Sequence, residues 1–211
     1  MKAIALAGCL ALLSAVGLTL PGQAQSGDQL VVMQTTKGPI SMRILSSIVP
    51  YTAGNFLDLV SKGFYDGLSF HRVENWCVQG GDPNGNGTGN YVDPATGQTR
   101  YINLEINNRV GHGVPGVVAM ARGSNRNSAS CQFYILKSAM PQLNGQYAVF
   151  GKVIDGMNTV YALRPGDRII SAAIGGGGAG NSGGAGSNAS SGEEPQGYQG
   201  GPAPRPVDSG F

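Results

Sequence analysis

Charged side chains are scarce in this sequence. Lys, Arg, Asp and Glu together make up 12% of the 211 residues, and the formal net charge is only +2. Proteins that bind nucleic acids or anionic lipids through electrostatic attraction carry a clear basic excess. The composition therefore indicates no nucleic-acid partner. Contact with a membrane is expected only through an N-terminal leader, if that leader stays uncleaved.

Histidine and cysteine are scarce as well. The chain has two His and three Cys, of which Cys77 and Cys131 lie beyond the first 24 residues. Their spacing matches no zinc motif, and no Ser lies in a nucleophile-elbow context. Gly85, Gly87 and Gly89 are followed by no helical pattern, which argues against a phosphate-binding loop. We therefore predict neither a metal nor an organic cofactor.

The N-terminus has the pattern of an export signal, which we assign to residues 1–24. Lys2 gives a basic start, and residues 3–20 form an apolar run. We place the cleavage site after Ala24 and expect a periplasmic or secreted protein. Two alternatives are less favoured: an uncleaved membrane anchor, since the run is just long enough to span a bilayer, and a lipoprotein box at residues 6–9, which lies too early in the chain.

Export exposes cysteines to an oxidising compartment, where Cys77 and Cys131 could form a disulfide. Each, however, lies in an apolar, strand-like run, where a free cysteine commonly acts as a small hydrophobic residue. We favour free thiols.

Glycine is abundant, with 35 residues, and many of these lie near the C-terminus. Residues 175–211 are mainly Gly, Ser, Asn and Pro, and such a segment cannot bury enough apolar surface to fold. We predict a disordered tail and place the folded domain at residues 25–174. Alternative roles for the tail are a polyproline ligand at residues 202–206 and a tether to a partner in the cell envelope.

Two segments of the domain have helical signals. Pro50 opens a helical pattern that Gly63 ends as a C-cap, and the predicted buried face carries Phe56, Leu57 and Val60. A second, shorter helix is predicted over residues 156–163.

The rest of the domain is dominated by strands. Apolar or alternating runs predict strands over residues 30–35, 40–45, 70–73, 76–79, 116–121, 132–136, 148–153 and 168–174. The helices do not alternate with the strands, which argues against a parallel α/β sheet. We predict a mainly β fold, an eight-stranded antiparallel closed barrel capped by two α-helices, because closure removes exposed edges and helices can cover the open ends.

Residues 70–89 carry the side chains of greatest chemical interest. Strand alternation places Arg72 on one face and its two neighbours in sequence on the other. An arginine beside Trp76 and Gln79 is neither a metal site nor a nucleophile with its base. It offers directed hydrogen bonds next to an apolar surface, and that combination suits a neutral, amide-like ligand.

Several blocks of the sequence, in a fixed order, resemble the cyclophilins, the cyclosporin-binding class of peptidyl-prolyl cis-trans isomerases. They are Phe70-His71-Arg72-Val73, Gln79-Gly80-Gly81-Asp82-Pro83, Gly87-Thr88-Gly89, Gly116-Val117-Val118-Ala119-Met120-Ala121, Ser130-Cys131-Gln132-Phe133-Tyr134-Ile135 and Ala148-Val149-Phe150-Gly151-Lys152-Val153. The resemblance covers residues 29–174, and therefore the predicted domain and neither appendage.

The resemblance implies the barrel with two helices, and a groove that binds X-Pro peptides and accelerates rotation about the imide bond without a cofactor. The partners it implies are proline-containing polypeptides and unfolded client proteins. The family's catalytic arginine corresponds to Arg72. Its substrate groove corresponds to His71, Trp76, Cys77, Gln79, Ala121, Arg122, Gln132, Tyr134, Leu143 and Tyr147. We expect His71 to pack rather than donate a proton, because the reaction transfers none, and we assign no role to His112.

The sequence also departs from the family's pattern. Trp76 and Cys77 replace a phenylalanine and a methionine, Arg122 replaces an asparagine, and Tyr147 replaces a histidine. Gln142 stands where the family has a tryptophan associated with tight cyclosporin binding, so we expect cyclosporin-type ligands to bind weakly at most. The altered pocket leaves open an alternative, a proline-peptide binding module or chaperone with little or no turnover. We favour an exported isomerase that assists protein folding in the cell envelope.

Overall fold

The structure is a computed structural model that describes residues 27–175. The predicted leader and, apart from Gly175, the predicted tail lie outside the described residues. The strands are β1 Gln29–Thr35, β2 Gly38–Ile44, β3 Arg72–Val73, β4 Cys77–Gly80, β5 Val117–Met120, β6 Phe133–Leu136, β7 Val149–Asp155 and β8 Ile169–Gly175. The helices are α1 Pro50–Ser61, α2 Met157–Ala162 and a 3-10 helix, Pro141–Leu143.

The first two strands form the antiparallel hairpin that their alternating pattern predicts. Val31 pairs with Met42, and Met33 pairs with Ile40. All four side chains are fully buried on the inner face of the sheet. Gly38 has φ +119° at the turn, a backbone conformation that L side chains rarely adopt.

Helix α1 packs against the inner face of the sheet. It begins at Pro50, as predicted, and Gly63 follows its end with φ +63°, the left-handed conformation of a C-terminal glycine. The buried apolar face carries Ala53, Phe56 and Leu59, with Val60 beside them. The prediction placed Leu57 on this face, but Leu57 is only half-buried, because 100° steps along the helix put Leu59 rather than Leu57 in line with Phe56.

The N-terminus of α1 obtains its cap from a distant loop. Val49 provides no side-chain hydrogen bond at the N-cap position. Instead, the carboxylate of Glu105 accepts hydrogen bonds from Thr52 N at 2.8 Å and Tyr51 N at 3.4 Å. A negative charge at this end also interacts favourably with the helix dipole. The long loop between β4 and β5 is thereby fixed to the helix.

All strand pairs are antiparallel, in the order β3-β4-β6-β5-β7-β2-β1-β8. The prediction of eight antiparallel strands with two helices is confirmed, but the predicted closure was overstated, because the sheet is a curled half-barrel with β3 and β8 as its end strands. The physical reason is that β3 has only two residues, and it pairs with β4 rather than with β8. The two ends of the sheet meet through the segment before β3, where residues 67–70 form backbone hydrogen bonds with residues 166–169, such as Phe70 N to Asp167 O at 2.8 Å.

Strand alternation separates two apolar clusters on the two faces of the sheet. In β6, Phe133 and Ile135 point into the inner core with α1, whereas Tyr134 and Leu136 point outwards. We call the second group the outer cluster; its buried members are Trp76, Cys77, Val117, Ala119, Ala121, Tyr134, Leu136, Met140, Leu143 and Val149. The inner core lies between the sheet and α1 and is closed to ligands. The outer cluster lies on the other face, where a ligand site can form beside it.

The longest α-helix within residues 27–175 is α1, with 12 residues. No helix in this part of the chain has both the length and the apolar character needed to cross a bilayer.

Candidate active site

The central residues of the candidate site form one row across four strands. Arg72 pairs with Gln79 between β3 and β4, Gln79 pairs with Tyr134 between β4 and β6, and Tyr134 pairs with Ala119 between β6 and β5. Directly paired residues have side chains on the same face of a sheet. The register therefore brings Arg72 and Gln79 beside the outer cluster, although Tyr134 is 62 positions after Arg72 in the sequence.

A chain of side-chain hydrogen bonds begins with the first two residues of this row and continues to Gln132. Arg72 Nη1 donates to Gln79 Oε1 at 3.3 Å, and Gln79 Nε2 donates to Gln132 Oε1 at 2.9 Å. Gln132 Nε2 in turn donates to the carbonyl oxygens of Gly87 and Gly89 at 3.0 and 2.9 Å. Both glutamines are buried. These hydrogen bonds fix the orientation of both amides. They also connect Arg72 to the glycine-rich loop that contains Gly87 and Gly89.

The guanidinium of Arg72 remains accessible. Its Cζ lies 5.4 Å from the centre of the Trp76 ring. Its Nε lies 3.4 Å from Glu74 Oε1, and the two side chains are 27% and 47% exposed. An ion pair this open is weak, so it leaves the guanidinium free to bind a ligand.

Aromatic rings of the outer cluster lie beside Arg72. Trp76 and Tyr134 meet edge to face with ring centres 6.1 Å apart, and Tyr134 and Tyr147 do so at 5.9 Å. Leu143, at the end of the 3-10 helix, belongs to the same cluster. Such T-shaped pairs are favourable arrangements of aromatic rings. The result is a rigid apolar surface next to a cation.

Two arginines connect the loop after β5 to the turn after the 3-10 helix. Arg122 Nε donates to Gln146 O at 3.0 Å, and Arg126 Nη2 donates to Gly145 O at 3.1 Å. Arg122 Cζ also lies 4.9 Å from the centre of the Tyr147 ring, within the range of a cation–π interaction. Arg122 and Tyr147, two of the departures from the family's pattern, therefore contact each other.

A polar cavity of about 150 Å³ adjoins the outer cluster. Ala121, Arg122 and Gln132 border it, and its other walls come from residues 123–130, residues 87–90 and Tyr101. The cavity shares these three residues with the predicted groove.

His112 is fully buried behind Tyr134. His112 Nε2 lies 3.0 Å from the hydroxyl oxygen of Tyr134, and the ring planes are within 21° of parallel. On the other side of the ring, His112 Nδ1 lies 3.2 Å from Asn144 Oδ1. Burial lowers the pKa of His112, while the hydrogen bond to Asn144 opposes that shift. His112 is therefore neutral at neutral pH.

The thiols in and near the site are poor nucleophiles. Cys77 and Cys131 are both buried and free. Burial raises the pKa of the Cys77 thiol to about 12; Arg72 and Lys137 oppose this shift and Glu74 adds to it. Burial likewise raises the pKa of the Cys131 thiol to about 12. The thiolate is the reactive form of cysteine, so covalent chemistry at these residues is unfavourable.

His71 precedes Arg72 but takes no part in the chain of side-chain hydrogen bonds. Neither ring nitrogen finds a hydrogen-bond partner within residues 27–175, and both nitrogens are buried. Burial lowers the pKa of His71; Asp82 opposes this shift and Arg72 adds to it. In the same part of the chain, no three His, Cys, Asp or Glu side chains group together as a metal site requires.

Comparison with known proteins identifies the family. The model of the cyclophilin type peptidyl-prolyl cis-trans isomerase family matches residues 30–172. The chain belongs to this family. It is thus an isomerase of X-Pro peptide bonds, as the resemblance implied.

Relatives of this cyclophilin occur in cyanobacteria. A peptidyl-prolyl cis-trans isomerase of Synechococcus elongatus is 38% identical over 146 residues, covering 68% of this chain and 94% of the relative. A putative thylakoid lumen peptidyl-prolyl cis-trans isomerase of Synechocystis is 36% identical over 179 residues, covering 70% of this chain but only 47% of that longer relative.

Solved structures agree with the sequence comparison. The crystal structure of a Cryptosporidium parvum cyclophilin type isomerase has a TM-score of 0.66 at 31% identity, covering 72% of this chain and 99% of that one. A second crystal structure of that protein, in the presence of the dipeptide Ala-Pro, has a TM-score of 0.64 at 32% identity and covers 70% and 99%.

The structure of this cyclophilin places most of the predicted site residues together. Arg72, Gln79 and Gln132 are joined by the chain of side-chain hydrogen bonds. The outer cluster and the residues packed against it include Trp76, Cys77, Ala121, Tyr134, Leu143 and Tyr147. Cys77 has no exposed surface and supports the cluster from beneath. His71 lies outside the row, and Arg122 lies at the border of the polar cavity.

His112, to which the sequence analysis assigned no role, contacts Tyr134 in the structure. No periodicity or motif connects it to Tyr134, which follows it by 22 positions. The contact depends on how the loop containing His112 folds back beneath β6. The one local signal is Gly111, because a Cβ at that position would lie 2.8 Å from Asn144 Oδ1.

Proposed function

We propose that this cyclophilin binds proline-containing polypeptides across the outer cluster, and that Arg72 is its catalytic residue. The observation that carries the proposal is the position of the Arg72 guanidinium, held by Gln79 at 3.3 Å and stacked near Trp76 at 5.4 Å. A cation fixed beside an apolar surface is suited to a ligand that is both apolar and amide-like. The crystal structure of the Cryptosporidium parvum relative with Ala-Pro supports a proline ligand.

Catalysis of this reaction needs no covalent chemistry. Rotation about a peptide bond crosses a barrier of about 18–20 kcal/mol. In the twisted transition state amide resonance is lost, and the prolyl nitrogen regains a lone pair. A guanidinium that donates to this nitrogen stabilises the twisted state more than either planar state. A ten-thousandfold acceleration requires about 5.5 kcal/mol, within reach of a charge-assisted hydrogen bond combined with a fixed substrate.

The other predicted residues hold the substrate. Trp76, Tyr134 and Leu143 receive the proline ring on the outer cluster, with Ala121 at its border and Cys77 beneath. Gln79 and Gln132 hold the peptide backbone on one side of the rotating bond. Because their amides are already oriented by the hydrogen-bond chain, the substrate meets preorganised partners.

The remaining predicted residues frame the groove. Arg122 and Tyr147 form one side of the groove through their cation–π contact. His71 packs behind the arginine strand. Burial favours its neutral form, consistent with a reaction that moves no proton.

An X-Pro peptide assay tests the role of Arg72. Arg72→Ala in the full chain should lower kcat/KM by about 100-fold or more, since it removes a charged transition-state donor. Arg72→Lys should restore little activity, because lysine lacks the planar guanidinium. Arg43→Ala is the matched control, since Arg43 is an exposed arginine on β2. Full activity in a folded Arg72→Ala variant would contradict the assignment, and proline-peptide binding without turnover in the native chain would favour a binding module.

We also propose that the protein is exported and assists protein folding in the cell envelope. The leader pattern of residues 1–24 and the thylakoid lumen location in the name of the Synechocystis relative support this. Unfolded client proteins are the expected partners there. Fractionation of cells that express the full chain, with N-terminal sequencing of the product, tests it. A mature N-terminus at Gln25 in the envelope fraction is expected; an intact Met1 in the cytosolic fraction would contradict it.

A further inference from the structure

We propose that His112 is a positioning residue: it accepts a hydrogen bond from the Tyr134 hydroxyl and so keeps that hydroxyl out of the apolar surface that receives proline. This inference rests on the proposed proline site at the outer cluster. His112 meets the outer cluster at the hydroxyl of Tyr134 and at the backbone of Met140, and it also contacts Asn144 in the turn that follows Leu143.

The direction of each hydrogen bond follows from Asn144. The backbone N–H of His112 donates to Asn144 Oδ1 at 2.8 Å, which identifies that atom as the acceptor oxygen. The same Oδ1 lies 3.2 Å from His112 Nδ1. An oxygen cannot donate, so Nδ1 carries the proton, and in the neutral ring Nε2 is then an acceptor. The Tyr134 hydroxyl, 3.0 Å from Nε2, must therefore be the donor.

The surroundings of His112 are built to hold this arrangement. Gly111 leaves the room that the Asn144 amide occupies, since a Cβ there would lie 2.8 Å from Asn144 Oδ1. Met140 N donates to His112 O at 2.7 Å, which ties the histidine to the segment leading into the 3-10 helix. The ring is therefore held by its backbone on both sides and by its Nδ1.

The protonation states fit the same arrangement. Burial lowers the pKa of His112, so the imidazole stays neutral and keeps an acceptor nitrogen. Burial raises the pKa of Tyr134 well above its usual value, and nearby Tyr147 adds to the shift. The phenol therefore keeps the proton that it donates.

Loss of His112 would affect the site because the buried hydroxyl of Tyr134 would then have no hydrogen-bond partner. Tyr134 is only 4% exposed, and its ring contacts Trp76 on one side and Tyr147 on the other. A buried hydroxyl without a partner is strongly unfavourable. Without His112, the ring would turn to bring its hydroxyl towards the solvent of the groove. That movement would place a polar group where the proline ring binds.

Steady-state kinetics of the full chain test the proposal, with a peptide that contains one X-Pro bond as the probe. His112→Leu should raise KM about tenfold, the effect of one disturbed buried hydrogen bond, and leave kcat nearly unchanged. A purely structural role would instead reduce the active fraction, lowering apparent kcat at constant KM. Constant KM in a folded His112→Leu variant would therefore overturn the proposal.

Substitution of the partner gives the decisive comparison. In a chain that already carries Tyr134→Phe there is no hydroxyl to misplace, so adding His112→Leu should change KM by less than about twofold. An equal effect of His112→Leu in both backgrounds would overturn the proposal. His112→Gln and His112→Asn form a matched pair, because the Gln amide oxygen can reach the position of Nε2 and the Asn amide replaces only Nδ1. The Asn variant should therefore have the higher KM, and the reverse order would count against the proposal.

A measurement on the native chain does not depend on the folding of any variant. Nitrogen-15 NMR of the imidazole should show the proton on Nδ1 of His112 at neutral pH; a proton on Nε2 would overturn the proposal. The activity of the native chain also distinguishes a failure of the proposed function from a failure of the proposed role of His112. If it lacks isomerase activity in this assay, the proposed function fails, whereas an active native chain with an unchanged KM in His112→Leu rejects only the role of His112.

Discussion

Arg72 and Gln79 are a cross-strand pair, and the guanidinium of Arg72 donates to the side-chain oxygen of Gln79 at 3.3 Å. The opposite end of the same amide donates to Gln132 at 2.9 Å. The amide of Gln79 thus orients the guanidinium of Arg72 and is itself held, through Gln132, by the glycine-rich loop. The position of the proposed catalytic guanidinium therefore depends on this neutral side chain as well as on β3.

Replacement of Gln79 should reduce activity even though Arg72 stays in place. Gln79→Leu removes the acceptor that orients Arg72 and leaves Gln132 Oε1 without its donor. We expect kcat/KM for an X-Pro peptide to fall by about tenfold or more, the usual effect of losing a buried hydrogen bond at a preorganised site. Gln34→Leu, at an exposed position on β1, is the control and should keep native activity. Equal activity of the two variants would show that the orientation of Arg72 does not depend on Gln79.

Much of the fold could be predicted from local patterns. The hairpin of β1 and β2 follows from alternation, and α1 follows from Pro50 and Gly63, because each signal lies within the element that it defines. The incomplete closure could not be predicted in this way. It depends on β3 having only two paired residues, so that the ends of the sheet meet through the irregular segment before β3, which bonds to residues 166–169.

In the site, too, some residues could be predicted from the sequence and others could not. Arg72, Gln79 and Tyr134 could be assigned from the resemblance to the family. His112 and the cap that Glu105 provides to α1 could not, because each contact joins an irregular loop to an element far away in sequence. The position of such loops is set by tertiary packing, which leaves no periodic pattern in the sequence.

The two histidines should make the protein less stable in mild acid. Burial lowers the pKa of both His71 and His112 in the folded state, while in the unfolded chain the pKa is about 6.5. Between these values the unfolded state binds more protons, so the free energy of unfolding decreases as the pH falls from neutral through about 6.5. Below the folded-state pKa both states are protonated, and this contribution no longer changes with pH.

Urea unfolding at several pH values from about 8 to about 5.5 measures this effect before most carboxylates titrate. The groups that act on His71 are Asp82 and Arg72, whereas His112 is in contact with Asn144 and Tyr134. A double variant, His71→Leu with His112→Leu, is the control and should show a shallower dependence. A native chain whose stability stays constant across this range would rule out neutral buried histidines.

Both buried thiols should react slowly with alkylating reagents. With a pKa of about 12, only roughly one thiol in ten thousand is ionised at about pH 8, compared with about a quarter for an ordinary cysteine. A Cys9→Ser variant leaves Cys77 and Cys131 as the only thiols of the chain. We expect little labelling by iodoacetamide in the folded state and rapid labelling of both in guanidinium chloride. Rapid labelling of Cys77 under native conditions would show that the outer cluster opens.

Cyclosporin-type ligands should bind more tightly after one substitution. Gln142 is exposed on the 3-10 helix, beside Leu143 of the outer cluster, and its amide nitrogen contacts Met140 Sδ at 3.5 Å. An indole at this position would extend the apolar surface and offer an N–H donor. Gln142→Trp should therefore tighten the Kd for cyclosporin by about 30-fold, the effect expected of an aromatic anchor of about 2 kcal/mol.

Isothermal titration of the native chain and of Gln142→Trp gives the two Kd values. Gln34→Trp is the control, because Gln34 is exposed on β1 and belongs to no part of the outer cluster. It should leave the affinity close to that of the native chain, since a tryptophan there adds an exposed ring away from the outer cluster. Tight binding by the native chain would contradict the prediction, because it would show that high affinity does not require an aromatic side chain at position 142.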